Sequence, residues 1–156
     1  MIAGLMSRAP ALAVLFAIGA VTPARAVDGT WTGATTNEWT TGTNWNSIPA
    51  NTVPNNTATF TNNGAPTLVT FSANGFPINT IQFDAGAPAY AFTINAILNI
   101  NGVGIVNNSG FAPSFTNNST LNFNISSTAG NATIANNGVT TGPGCVVYFR
   151  QQHLTN

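Results

Sequence analysis

The chain of 156 residues carries three basic and three acidic side chains, with one histidine and one cysteine. Proteins that grip nucleic acid or an anionic membrane neutralise phosphates with clustered cations, so a charge this sparse argues against both partners. The lone Cys145 excludes an intramolecular disulfide, which leaves burial and backbone pairing to hold a fold together.

Residues 1–26 contain the parts of a secretory leader in order. Arg8 gives a positive start, Ala9 to Val21 is apolar, and Thr22-Pro23-Ala24-Arg25-Ala26 ends with small residues where a leader peptidase reads. The apolar run is shorter than the roughly 20 residues that cross a bilayer, so removal between Ala26 and Val27 is expected rather than anchoring. The remainder keeps Arg150 as its only basic side chain, against Asp28, Glu38 and Asp84, for a formal charge of −2. Asn and Thr make up about a third of it. Val, Ile, Thr, Phe, Tyr and Trp are well represented and strong helix formers are scarce, which points to an all-β fold.

From 27 to 60 the chain holds Trp31, Trp39 and Trp45 and no long alternating run. This stretch reads as a Trp-rich cap, the element that a stack of coils needs to cover its open end.

The stretch 61–141 reads as short alternating strands separated by turn residues. The first are Leu68-Val69-Thr70-Phe71 and Ile78 to Phe83. Tyr90, Phe92 and Ile94 then share one face, Leu98-Asn99-Ile100-Asn101 continues the alternation, and Leu121, Phe123 and Ile125 lie opposite Asn122 and Asn124. Asn-Gly, Gly-Ala-Pro and Asn-Asn-Ser clusters punctuate the runs as turns.

An apolar residue, a spacer and paired Asn recur from Phe60, Ile105, Phe115 and Ile134, with starts 45, 10 and 19 residues apart. The spacing fits a coil of about 20 residues better than a strict short repeat. Stacked coils would align Asn amides at the strand spacing of about 4.8 Å, where they can satisfy one another. The fold expected is a parallel β-helix, or solenoid. A β-sandwich is the alternative, since it also gives short strands at close intervals.

After Thr141 the pattern breaks. Residues 142–156 bring the only Cys, His and post-leader Arg, and read as an atypical tail, truncated or frame-shifted, with an open last coil prone to edge-to-edge association.

Trp31, Trp39, Asn44-Trp45, Pro49 and Pro54-Asn55-Asn56-Thr57-Ala58-Thr59-Phe60 resemble the start of passenger domains of bacterial autotransporters, notably the Asn/Thr/Gly-rich ones of alphaproteobacteria. The stretches 81–94, 104–110 and 127–134 are similar to the recurrent coils of that family. The resemblance spans roughly residues 27–141. It implies a right-handed parallel β-helix, exported and displayed outside the outer membrane, with no single activity attached. The membrane β-barrel that such proteins carry is not among these residues, which hold no series of eight or more amphipathic strands of that kind.

Catalytic constellations are not apparent. A glycosidase needs two carboxylates across a cleft, and Asp28, Glu38 and Asp84 read as a terminal residue and two turn residues. An acyl-transfer triad needs an oriented His, whereas His153 lies near the end of the chain. Cys145 and His153 are too few for zinc, and the Asn-lined turns are weak in the carboxylates calcium prefers. No cofactor is expected. The expectation is a non-catalytic, secreted or surface-displayed β-solenoid that adheres to host or neighbouring cells, through their glycans. The alternatives are a carbohydrate-binding module whose Trp31, Trp39 and Trp45 stack on sugar rings, or a fragment of a larger catalytic autotransporter.

Overall fold

A computed structural model describes residues 25–73, 75–137 and 146–150; the leader segment upstream of Arg25 lies outside them. Its strands in chain order are β1 (Gly29–Trp31), β2 (Trp45–Ser47), β3 (Thr57–Phe60), β4 (Leu68–Phe71), β5 (Phe76–Phe83), β6 (Ala91–Ile94), β7 (Leu98–Asn107), β8 (Ser114–Asn117), β9 (Thr120–Asn124), β10 (Thr133–Asn136) and β11 (Val146–Arg150). Two sheets form from them. One runs β11-β9-β7-β5-β3-β1-β2 and the other β10-β8-β6-β4. Successive neighbours within each sheet are parallel, apart from the antiparallel β1–β2 pair.

Odd strands from β3 to β9 in one sheet alternate with even strands from β4 to β10 in the other, so the chain winds and stacks one coil on the last. This is a parallel β-solenoid of about four turns. The β-sandwich alternative is set aside by these parallel ladders, because its sheets are antiparallel.

Most coils are 23 residues long, as shown by the stacked pairs Asn56/Asn79, Asn95/Asn118, Asn99/Asn122 and Asn101/Asn124. The last complete coil of the smaller sheet shortens to 19. The irregular spacing of the Asn-pair motif now has a cause. Phe60 and Ile105 belong to the larger sheet, Phe115 and Ile134 to the smaller. Only the interval of 19, from Phe115 to Ile134, is a true rung-to-rung step.

Alternation puts apolar side chains between the sheets. Phe60, Ile81, Phe83, Leu98, Ile100, Leu121 and Phe123 from the larger sheet meet Val69, Phe71, Phe92, Ile94 and Phe115 from the smaller, all nearly fully buried. In-register stacking pairs rings from neighbouring coils: Phe92 on Phe115 at 4.5 Å and 7°, and Phe60 on Phe83 at 5.2 Å and 24°. The centroid spacings follow the distance between neighbouring strands, about 4.7–4.9 Å. Offset ring pairs add to the gain from area alone.

Alternation breaks where a coil turns a corner. The ladder between β5 and β7 shifts register between Ile78 and Thr80. Two consecutive amides, of Asn79 and Thr80, donate to the single carbonyl of Asn56 at 3.1 and 2.8 Å, which bends the strand. One coil further along, Gly104 takes φ of +102° against the backbone of Thr128, leaving no room for a side chain.

Ile125 departs from the expected face. It follows the end of β9 at φ of +62° and is 47% exposed, whereas Leu121 and Phe123 are buried. The strand ends at Asn124, so period-2 alternation no longer governs its side chain. Part of the expected tail also forms structure, since β11 pairs in parallel with β9 from Val146/Thr120 to Arg150/Asn124. The remainder of that tail, Cys145 and His153 included, lies outside the described residues.

Candidate functional site

The first coil is built differently from the rest, and its tryptophans explain why. β2 folds back antiparallel on β1 with Trp31 facing Trp45, and their rings meet edge-on at 5.0 Å. Trp39 meets Trp45 at 4.8 Å and also touches Phe60, Phe71 and Phe92. A bridge from Glu38 to Thr70 on β4 carries this segment across the end of the smaller sheet. The three indoles therefore fill the end of the core, each no more than 2% exposed. They present no open ring face on which a sugar could stack.

Asn44 holds the segment together, a role hidden in the sequence because a short polar residue there reads as a turn. It is fully buried. Its Oδ1 accepts from the amides of Thr35 and Thr36 at 2.9 and 3.0 Å, and its Nδ2 donates to Thr36 Oγ1 and the Glu38 carbonyl at 2.9 and 2.7 Å. All four hydrogen-bonding positions of the amide are thus used, which offsets the cost of burying it. The Trp45 indole N–H donates to the Trp39 carbonyl at 2.7 Å, and that of Trp31 to the Pro66 carbonyl at 3.0 Å.

Each carboxylate is engaged by different side chains and backbone amides. Asp28 Oδ1 accepts from Asn56 Nδ2 and the Thr57 amide at 2.8 and 2.9 Å. Glu38 Oε1 accepts from Thr40 Oγ1 and the Ser72 amide, both at 3.1 Å. Asp84 Oδ1 accepts from Gln82 Nε2 at 2.7 Å. They stand before β1, in the first coil and after β5, and the fold brings no two of them together as a paired acid and base. Among the described residues no group of three or more His, Cys, Asp and Glu is placed to hold a metal ion.

Tyr90 is the one described titratable group with a clear displacement: burial pushes its hydroxyl above its ordinary value of about 10. Its Oη lies 3.0 Å from the carbonyls of both Thr61 and Gly64, so one proton serves two acceptors.

A groove of ≈ 450 Å³ opens beside the first coil, lined by Arg25, Ala26, Asp28, Gly29, Thr30, Asn46, Ser47, Ile48 and Thr59. Ala26 is exposed and Val27 is 7% exposed, so the expected cleavage bond sits where the chain passes from solvent into the fold.

The outer faces carry uncharged side chains in register. Asn95, Asn118 and Asn137 form a three-rung amide ladder, with contacts of 2.8 and 3.0 Å. Asn99/Asn122 and Asn101/Asn124 form two more rungs side by side, each at 2.8 Å. On the smaller sheet Thr70, Thr93 and Thr116 line up across β4, β6 and β8. These ladders are those expected from stacking Asn-rich coils.

Comparison with known proteins gives no match, whether with family models, curated proteins or solved structures. Among the described residues no helix is long and apolar enough to cross a membrane, which says nothing of strands.

Proposed function

We propose that this chain is a secreted or surface-displayed structural protein that works by adhesion and not by catalysis. Its solenoid is the rigid part that carries contacts away from the cell. The observation that supports this reading is the set of uncharged, in-register files on the outer faces, exemplified by Asn95/Asn118/Asn137 and Thr70/Thr93/Thr116. A regular face offers many equivalent weak contacts, and their simultaneous engagement gives avidity without a deep pocket. The partners are host or neighbouring cell surfaces, through their glycans. The origin that fits best is the start of an autotransporter-like passenger, exported by residues 1–26.

Expression of the full chain in a Gram-negative host tests this reading. Export, a mature N-terminus at Val27 and binding of the purified exported protein to glycan-coated surfaces are expected. A cytoplasmic product still beginning at Met1, or an exported protein that does not bind such surfaces, would overturn it. The second reading, a carbohydrate-binding module that uses Trp31, Trp39 and Trp45, loses its support because all three indoles are buried.

A further inference from the structure

The expected cleavage bond lies against a strand that is already paired on both sides. Val27 donates its backbone N–H to Asn55 Oδ1 at 2.7 Å. Its carbonyl accepts from the amides of Asn55 and Asn56 at 3.1 and 3.0 Å. Two residues later β1 begins, held between β2 and β3. Val27, Gly29 and Trp31 are all buried. On the other side of the bond Arg25 and Ala26 are exposed. A peptidase must grip extended backbone on both sides of the bond it cuts, and here the downstream half is committed to a sheet.

We infer that the Ala26–Val27 bond is hydrolysed before the first coil closes, and that the amine this releases is a structural group of the mature fold. The inference rests on the leader reading above. Water adds across the C–N bond, Ala26 departs as the carboxylate of the leader, and Val27 is left with an ammonium. That ammonium occupies the place of the N–H already aimed at Asn55 Oδ1, and a charged donor makes this hydrogen bond stronger than an amide does. Asn55 answers by donating its own amide to the Val27 carbonyl, so the new terminus closes a reciprocal pair instead of fraying. Removal of Arg25 and Ala26 also takes away two walls of the groove beside Asp28 and Thr30. Export must therefore deliver the chain unfolded to its peptidase.

Two measurements on the full chain test this. Refolded precursor and a variant with a four-residue Gly-Ser spacer between Ala26 and Val27 are incubated with detergent-solubilised leader peptidase. The refolded wild type is expected to be cut at least tenfold more slowly than the spacer variant; equal rates would overturn the order of events. The exported protein, starting at Val27, is then compared with the same protein bearing one extra N-terminal Ala. The extra residue is expected to lower Tm by a few degrees, and an unchanged Tm would overturn the role of the amine. An exported protein starting elsewhere than Val27 would instead sink the leader reading, a failure distinct from either of these.

Discussion

The first coil and the last described rungs of the solenoid are built differently. At the N-terminal end β2 runs antiparallel along β1, Trp31, Trp39 and Trp45 close the core, and the Glu38–Thr70 bridge spans the smaller sheet. At the other end of the described coils, Phe149 stacks on Phe123 at 4.8 Å and 8° but remains 61% exposed, and Tyr148 is 41% exposed. Ile134 on β10 is only partly buried. The Asn ladder also changes character there. Asn122 faces Tyr148 and Asn124 faces Arg150. The Asn122 Oδ1 is left buried without a partner, while Arg150 lies over the Tyr148 ring at 4.8 Å. A rung that lacks the repeat's residues still pairs by backbone, but it adds little to the core or the ladders. Closing an end takes side chains of particular size and direction, whereas adding a rung takes only a strand.

This contrast can be broken at the closed end with the largest effect. Trp39→Ala is expected to cost about 3–5 kcal/mol, the range for removing a large buried aromatic, and to abolish a cooperative thermal melt near ambient temperature. Asn44→Ala comes next. It removes a fully buried amide whose four hydrogen bonds hold the segment, and leaves the exposed Thr35 and Thr36 to water, so a loss of about 1–3 kcal/mol by urea unfolding is expected.

Tyr90→Phe tests the middle of the stack. Removing the hydroxyl from the Thr61 and Gly64 carbonyls is expected to cost about 1–2 kcal/mol at neutral pH. Its pH dependence has a definite sign. Burial raises the folded-state value above the ordinary one of about 10, so the unfolded chain loses this proton first. Stability from the neutral phenol is therefore complete below about pH 10 and falls as the pH rises beyond it. Alkaline melts of Tyr90→Phe should show a shallower decline than the wild type.

The smallest effects lie at the last described rungs and run the opposite way. Ile125 holds φ of +62°, a left-handed conformation that costs a side-chain-bearing residue about 1–2 kcal/mol. Ile125→Gly is expected to raise stability by up to about 1 kcal/mol by chemical denaturation, since added chain entropy in the unfolded state takes back part of the relief. Tyr148→Asn offers a partner to Asn122 Oδ1 and should stabilise by about 0.5–1 kcal/mol.

Much of this contrast is legible in the sequence because period-2 alternation works wherever strands are straight. Tyr90, Phe92 and Ile94, and likewise Leu98 and Ile100, face the core as their spacing implies. Alternation says nothing at corners, so the bend at Asn79 and the outward turn of Ile125 leave no signature in the sequence. The length of the coil was obscured because similar Asn pairs occur on both sheets. A better signal was present: Ala65-Pro66, Ala87-Pro88 and Ala112-Pro113 precede β4, β6 and β8, three of the four strands of the smaller sheet. In the first coil, three tryptophans in a stretch without alternation pointed to an end-covering segment, but whether their faces were buried or open depended on β2 folding back. The burial of Asn44 depended on the same hairpin, which no local pattern encodes. The strand β11 was missed because its residues differ from the repeat, and parallel backbone pairing places no demand on identity.

Native-state hydrogen exchange on the full chain addresses the central claim most directly. Stability that is concentrated in the Trp-closed first coils and falls toward the last described rungs should appear as a gradient. Amides of β1, β3, β5 and β7 are expected to exchange slowest, through near-global unfolding, with β10 and β11 opening first and independently. Uniform protection across all coils, or slower exchange at β11 than at β3, would contradict the account.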